Sequence, residues 1–368
     1  MHSVGRSRGE QLTTRSFKML WIVLAASLIP VANCVQCMSQ TGSPVDWFIV
    51  YKLPSLKENG THSAGRSVGA SVRHDSGHFY MDVNNPTWTL SKVLMKDPKH
   101  AVYNTLQTIY QAKTTDDFAY VMYNDKTPAG KEPESDGHSK GVFAFDKEAG
   151  FWLVHSTPGF PPNRADGYNW PDTALVNGQS FLCVSYSYSQ LNNIASQIVY
   201  NYVQVYDQMA SASFLSGNPS LAAVINHKHP GRRTANKLQL TSKQGTPFLS
   251  FAKTAAFNDD LYSGFVAPVL QSGLMTETWQ DGVGKMPSNC SSSYKVYNVK
   301  AITLPNGINF KETKDHSKWA VSLTGNWVCI GDINRQLHQM KRGGGTVCLQ
   351  NEKVWSQFNS SVKAYEHC

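Results

Sequence analysis

The chain has 368 residues, 41% of them apolar, so it can bury a large core as one large or two ordinary domains, which excludes a disordered chain. Its formal net charge is +8, and the first 18 residues hold four basic and one acidic side chain, so the rest keeps about +5. That charge favours a polyanionic partner, although mild basicity also serves solubility.

An apolar run over residues 19–32, preceded by Arg15 and Lys18 and followed by small residues, is too short to span a bilayer. We therefore expect residues 1–34 to be a signal peptide with cleavage near residues 32–34. Met19 is an alternative start, which would make residues 1–18 an upstream extension. No other apolar stretch has membrane length, so we expect no membrane anchor.

Glycosylation sequons and cysteines agree with a secretory route. The sequons place candidate glycans on Asn59, Asn289 and Asn359. Cleavage that removes Cys34 leaves six cysteines, an even set that suggests three disulfides in an oxidising compartment, namely Cys37, Cys183, Cys290, Cys329, Cys348 and Cys368. Spacing alone leaves all of their pairings open.

The hydrophobic pattern predicts a mixed α/β order. A dense apolar run over residues 45–53 predicts a buried strand, and the Gly-, Ser- and His-rich residues 58–75 predict an exposed loop. Helical periodicity covers residues 99–113 and 191–206. Residues 118–123, 141–145 and 151–154 read as strands between them.

One internal similarity stands out. His138-Ser139-Lys140 precedes a predicted hairpin, and the same triplet, His316-Ser317-Lys318, precedes a second hairpin of matching pattern. Two such units predict a duplicated fold whose halves meet about a pseudo-twofold axis, with two mixed sheets and flanking helices. We place the N-terminal half at residues 35–220 and the C-terminal half at 221–368, because the chain turns to small, Gly, Pro and basic residues between 209 and 235.

The triplets suit phosphate chemistry. Residues two apart on a strand point to one face, so each histidine should project with its lysine. An imidazole can attack phosphorus or protonate the leaving oxygen, while a lysine neutralises the non-bridging oxygens. One histidine and one lysine from each half would surround one phosphodiester, so we expect neither a metal nor another cofactor.

Several longer segments carry a family resemblance. They are residues 44–54 (PVDWFIVYKLP), 150–162 (GFWLVHSTPGFPP), 178–183 (GQSFLC), 315–335 (DHSKWAVSLTGNWVCIGDINR) and 342–348 (RGGGTVC). Together they resemble deoxyribonuclease II, from Cys37 to the C-terminus.

The resemblance implies a phospholipase D-like fold and acidic, metal-independent cleavage of double-stranded DNA to 3′-phosphate ends. It also implies a lysosomal or secreted location. His316 falls at the family's principal catalytic histidine, and His138, Lys140 and Lys318 fall on the other motif positions. The implied disulfides are Cys37 with Cys183, Cys290 with Cys368, and Cys329 with Cys348.

Four other positions receive weaker interpretations. Asn334 resembles the superfamily's downstream phosphate contact, and His155, at the end of the first hairpin, is a candidate to line the site. The superfamily pattern has an aspartate five positions after the lysine. Asp146 lies six positions after Lys140, so no role is assigned to it. The basic run at residues 227–233 is kept only as a candidate contact to a DNA backbone.

These residues predict an endonuclease that forms a covalent phosphohistidine: His316 attacks phosphorus, His138 protonates the departing 5′ oxygen, and water releases the 3′-phosphate. The lysines should lower the pKa of both histidines, so the active one-proton state should peak below neutrality. Two alternatives stay open: a phosphodiesterase that acts on a lipid or another substrate with the same four residues, and a non-catalytic DNA-binding protein.

Overall fold

A computed structural model describes Met1, His2, Val4, Gly5 and residues 35–56, 76–112 and 117–368. Residues 34–368 form one unit, separate from residues 1–33. The predicted loop at residues 58–75 and the Asn59 sequon lie outside the described residues, as does the predicted signal peptide apart from Met1, His2, Val4 and Gly5.

Two large sheets dominate the described residues. The first runs in the order β3-β2-β1-β7-β6-β5-β4-β8. Its strands are β1 (Trp47–Lys52), β2 (His78–Asp82), β3 (Thr89–Leu90), β4 (Phe118–Asn124), β5 (Lys140–Asp146), β6 (Ala149–His155), β7 (Gln179–Ser187) and β8 (Val205–Met209).

The second sheet runs in the order β13-β12-β11-β14-β15-β16-β10-β9, and β17 also pairs with β12. Its strands are β9 (Ala235–Thr241), β10 (Pro247–Lys253), β11 (Leu274–Thr278), β12 (Val296–Leu304), β13 (Ile308–Lys311), β14 (Lys318–Ser322), β15 (Trp327–Gly331), β16 (Gly344–Gln350) and β17 (Val362–Tyr365).

The two sheets share one core. Five neighbouring antiparallel strands, β1-β7-β6-β5-β4, match β10-β16-β15-β14-β11 in spatial order and in order along the chain. Counted along the chain, the third strand of each set, β5 or β14, begins with the lysine of a triplet. The shared order supports the predicted duplication, and the chain passes from one sheet to the other between Met209 and Ala235.

Apolar side chains fill both faces of each sheet. On β1, Trp47, Ile49 and Tyr51 enter a central core that also contains residues of the second sheet, while Phe48 and Val50 enter a core on the other face. Burial on both faces explains why the sequence shows a continuous apolar run here instead of an alternating one.

Helices pack on these cores. They are α1 (Ala101–Tyr110), α2 (Leu191–Asn201), α3 (Ala212–Gly217), α4 (Pro219–Ile225), α5 (Ala267–Leu270) and α6 (Glu352–Ser361). One π-helical turn covers Tyr262–Val266, and short 3-10 turns cover Arg164–Asp166, Asp172–Ala174, Tyr188–Gln190, Ala255–Phe257, Pro305–Gly307, Glu312–Lys314 and Leu337–Lys341.

The predicted helix at residues 191–206 is too long. Helix α2 ends at Asn201 because Tyr202 adopts a left-handed conformation, with φ of 51°, and Val205 belongs to β8. The apolar residues beyond Tyr202 fit the strand as well as the helix, so periodicity alone could not locate this end. The mixed α/β class with flanking helices is confirmed. Within the described ranges, no helix is both long and apolar enough to cross a bilayer.

Three disulfides join Cys37 with Cys183, Cys290 with Cys368, and Cys329 with Cys348, the pairing that the family resemblance implies. The first closes a separation of 146 residues, and the last links neighbouring strands only 19 residues apart. The four cysteines of these two disulfides, Cys37, Cys183, Cys329 and Cys348, are fully buried.

The separations predict an order of stability. Replacing Cys37 and Cys183 with Ala should cost about 5 kcal/mol of unfolding free energy, and replacing Cys329 and Cys348 about 3 kcal/mol, because the longer loop restricts the unfolded chain more. Chemical denaturation of the two double variants provides the comparison, and each is the other's control because both remove buried sulfurs. An equal or reversed order would contradict this account.

Candidate active site

The two histidine segments are held by exchanged backbone hydrogen bonds. The His138 N–H donates to the Gly343 carbonyl at 2.8 Å, and the His316 N–H donates to the Gly178 carbonyl at 2.9 Å. Each histidine therefore takes its backbone partner from the strand entry of the other sheet. The exchange brings both triplets to one end of the two sheets.

The close approach of these segments requires glycine. A Cβ on Gly343 would lie 2.2 Å from the Asn201 carbonyl oxygen, and one on Gly178 would lie 2.3 Å from Asp315 Oδ1. Both distances are shorter than any real contact, so a side chain at Gly178 would displace Asp315, the residue before His316, and one at Gly343 would displace the end of α2.

Buried lysines fix the two loops that precede these glycines. Lys52, at the end of β1, donates to the carbonyls of Ala174, Leu175 (2.6 Å) and Asn177 (2.8 Å). Lys253, at the end of β10, donates to the carbonyls of residues 339 (3.0 Å), 340 (2.9 Å) and 342 (2.6 Å). The two lysines occupy equivalent positions, and each holds its loop by donating to three backbone carbonyls.

The sequence predicted that each histidine shares a strand with its lysine. The histidines instead lie just before the strands, since β5 begins at Lys140 and β14 begins at Lys318. The side chains of the first triplet nevertheless converge on one carboxylate. His138 Nδ1 lies 2.7 Å from Asp125 Oδ2, and Lys140 forms an ion pair with Asp125 Oδ1. The Asp125 bridge, in place of strand geometry, holds this histidine and lysine together.

Arg342 reaches the same carboxylate from the second half of the chain. Its Nη2 lies 3.9 Å from Asp125 Oδ2, and its Nη1 lies 3.5 Å from His138 Nδ1. Its Nε donates to the Asp136 carbonyl at 2.9 Å. Arg342, from the C-terminal half, therefore contacts both His138 and the loop before it in the N-terminal half.

The second triplet has a different neighbour. The ring of His316 packs on Trp279, with 4.7 Å between ring centroids, and Lys318 Nζ donates to the His316 carbonyl. Asn124 pairs with Lys140 across β4 and β5, and Thr278 pairs with Lys318 across β11 and β14. Asp125 and Trp279 each come next in the chain, so they occupy equivalent positions.

Burial and the cationic neighbours act together on the ionisable groups. Burial, together with Lys318, Lys140 and His138, lowers the pKa of His316 to about 3. Burial likewise lowers the pKa of Lys318 to about 7, with a further contribution from Lys140. Since each half lowers the pKa of groups in the other, the two triplets share one electrostatic environment.

Asp125 makes the first histidine different. Burial raises the pKa of Asp125, but His138 and Lys140 outweigh this and hold it well below its ordinary value. Burial, with Lys140, lowers the pKa of His138 to about 3, as for His316, although the Asp125 carboxylate acts in the opposite direction and raises it. Asp125 is therefore ionised and favours a proton on His138, whereas His316 has no such partner among the contacts described above.

His155 and Asn334 lie near this cluster but are buried. His155 stacks on Phe181, accepts the Thr157 N–H on Nδ1 at 3.2 Å, and has a pKa lowered to about 3 by burial and by Lys140. Asn334 is 5% exposed, and its backbone N–H donates to Gln339 at 2.6 Å. Both positions favour support of the site over broad contact with a substrate.

Asp146 lies at the other end of β5. Its carboxylate accepts the N–H groups of Glu148 and Ala149 in the hairpin turn, and also that of Val35. It therefore closes a turn and does not take part in the site. Asn289 and Asn359 are both partly exposed, and their glycosylation stays a prediction.

Comparison with known proteins identifies the family. The family model described as Deoxyribonuclease II matches residues 36–368. The chain belongs to the deoxyribonuclease II family. It is 44% identical to plancitoxin-1 of Acanthaster planci over 94% of this chain and 96% of that protein. It is 40% identical to deoxyribonuclease-2-alpha of Mus musculus (94% and 97%) and 37% identical to deoxyribonuclease-2-beta of Homo sapiens (97% and 98%).

Membership in the deoxyribonuclease II family makes the chain a hydrolase of the endonuclease class. The described residues contain no group of three His, Cys, Asp or Glu side chains placed to hold a metal ion. The two mostly antiparallel sheets are consistent with the phospholipase D-like fold expected of this family.

Sequence reasoning missed several residues of this deoxyribonuclease II site. Asp125 and Trp279 each follow the last residue of a buried strand, and a polar or aromatic residue at that position was the available signal. Arg342 lay inside a segment used only for the resemblance. Burial raises the pKa of Asp332 to about 6, and Lys140 and Asp125 lie close enough to influence it; nothing in the sequence pattern marks it.

Proposed function

We propose that this protein is an endonuclease that hydrolyses double-stranded DNA without a divalent metal and leaves 3′-phosphate ends. The observation that carries the proposal is the convergence of both triplets, with Asp125 on one histidine only. Predicted secretion and three disulfides favour action in a lysosome or outside the cell.

His316 is the nucleophile in this proposal. Burial and the neighbouring cations keep the His316 ring neutral, and no carboxylate among the contacts described above favours a proton on it, so a ring nitrogen has a lone pair to attack phosphorus. A P–N bond forms to His316 as the bond from phosphorus to the 5′ oxygen breaks. His138, whose Nδ1 is engaged by Asp125, gives the proton on Nε2 to that oxygen.

The second step regenerates the enzyme. His138 now accepts a proton from water as the water attacks phosphorus, the P–N bond breaks, and the 3′-phosphate leaves. Lys140, Lys318 and Arg342 neutralise the oxygens around phosphorus in both steps. Lys140 and Lys318 act at low dielectric because they are buried, which strengthens their effect. Three cations at one site would also repel a divalent metal ion.

A plasmid assay at acidic pH tests the activity. We expect nicking and linearisation in excess chelator, no stimulation by added magnesium, and 3′-phosphate ends, because protein cations take the role of a metal. Phosphatidylcholine vesicles are the comparison substrate, and we expect no hydrolysis of them. Cleavage lost in chelator and restored by magnesium would overturn the metal-independent proposal; hydrolysis of the lipid alone would favour the other phosphodiesterase.

The leaving group separates the two histidine roles. On DNA, His316→Asn should abolish turnover and His138→Asn should lower it by about 10²–10⁴-fold. With thymidine 3′-(p-nitrophenyl phosphate), whose leaving group needs no proton, His138→Asn should release about one equivalent of nitrophenolate rapidly and then turn over slowly. His316→Asn should show no burst. A burst in His316→Asn and none in His138→Asn would reverse the assignment.

The pH profile tests the role of Lys318. Its pKa is lowered to about 7, so the side chain is cationic below that pH and loses its charge above it. The rate should therefore fall as the pH rises through neutrality. Lys318→Arg keeps the charge and should move the alkaline limb upward, whatever its effect on the maximum rate. The rates are measured at fixed ionic strength; an unmoved limb would show that another group sets it.

A further inference from the structure

An exposed basic loop connects α4 to β9. It comprises residues 226–233 and presents Lys228, Arg232 and Arg233 together with two histidines, and all five of these residues are exposed. In the part of the chain that the structure describes, none of the three permanent cations forms an ion pair with a carboxylate. The loop therefore offers uncompensated positive charge to solvent.

The start of the basic loop is fixed beside the first triplet. His227 stacks on Tyr202, with ring centroids 4.4 Å apart and planes 9° apart, and its Nε2 lies 3.2 Å from Asp136 Oδ2. The carbonyl of Tyr202 accepts the N–H of Gly137 at 2.7 Å. Gly137 immediately precedes His138 in the chain.

The end of the basic loop is fixed beside the other half of the site. The Arg233 carbonyl accepts the Thr254 hydroxyl at 2.7 Å, and the Arg233 guanidinium lies over Tyr200, 5.7 Å from the ring centre. Thr254 follows Lys253, whose ammonium holds the loop that ends at Arg342. The basic loop is thus anchored at both ends to segments that position His138.

We propose that the basic loop binds backbone phosphates of the DNA duplex on one side of the phosphodiester that is cut. DNA carries about one negative charge per 1.7 Å of helix axis, so any duplex that reaches His138 continues past the rim of the site. Exposed cations fixed at that rim meet the phosphates without reading bases. The inference rests on the proposed function, and it assigns the loop to affinity and not to the chemical step.

A matched pair of double variants tests this. Lys228→Glu with Arg232→Glu reverses two loop charges. Lys243→Glu with Lys295→Glu makes the same change in charge on exposed side chains at the opposite strand ends, because Lys243 precedes β10 and Lys295 precedes β12. The other ends of these strands lie near the triplets. Strand β10 ends at Lys253, and β11, which runs parallel to β12, ends at Thr278.

The loop variant should raise KM for plasmid by about tenfold or more at roughly 0.1 M salt and should reduce the slope of log KM against log salt by about two, since two phosphate contacts are lost. The effect should fall on KM and not on kcat. The control variant should change KM much less. Equal effects in both variants would show only the field of the whole protein, and a loss confined to kcat would place the loop in the chemical step; either result overturns the inference.

Direct binding separates this inference from the proposed nuclease activity. In the His316→Asn background, fluorescence anisotropy with a short labelled duplex should show the same loss of affinity for the loop variant and little loss for the control. If the wild type failed to cut DNA while this difference persisted, the nuclease proposal would fail and the binding site would stand. No difference in affinity between the two variants would remove the binding site.

Discussion

The exchanged hydrogen bonds between His138 and Gly343 and between His316 and Gly178 are the constraint on which the site depends. A buried backbone bond contributes only about 1 kcal/mol, but a broken one leaves a donor and an acceptor without water. Neither histidine segment is complete within its own half, so the site exists only while the two sheets stay docked. The central core, built from both sheets, provides the docking energy, and glycine lets the segments approach.

The same end of the fold concentrates buried cations that are satisfied to different degrees. Lys52 and Lys253 each donate to three carbonyls, and Lys140 has the Asp125 carboxylate. Lys318 donates to one carbonyl, and burial together with the charge of Lys140 lowers its pKa to about 7. In the proposed mechanism, an anionic phosphate offsets the repulsion between these lysines, and the folded protein already holds the cations that stabilise charge at phosphorus.

Local patterns predicted the strands and the repeated triplets because both depend on short-range periodicity and on residue identity. The end of α2 at Tyr202 was not predictable, since one left-handed residue separates two segments with similar apolar spacing. Asp125 and Trp279 were missed for another reason: their equivalence follows from the pairing of Asn124 with Lys140 and of Thr278 with Lys318, and strand register is fixed by tertiary packing. Two partners of His138, Gly343 and Arg342, lie in the other half, and no local pattern records those contacts.

The difference between Asp125 and Trp279 gives a duplicated site two unlike histidines. With carboxylates at both positions, both imidazoles would gain protons together in acid, and no lone pair would remain to attack phosphorus. With tryptophan at both, both rings would stay neutral and the 5′ oxygen would leave without a proton. In the proposed mechanism, the Asp125 carboxylate beside His138 favours a proton on that ring, and the Trp279 ring beside His316 does not. The proposed roles of acid and nucleophile thus follow from the difference between Asp125 and Trp279 in an otherwise symmetric frame.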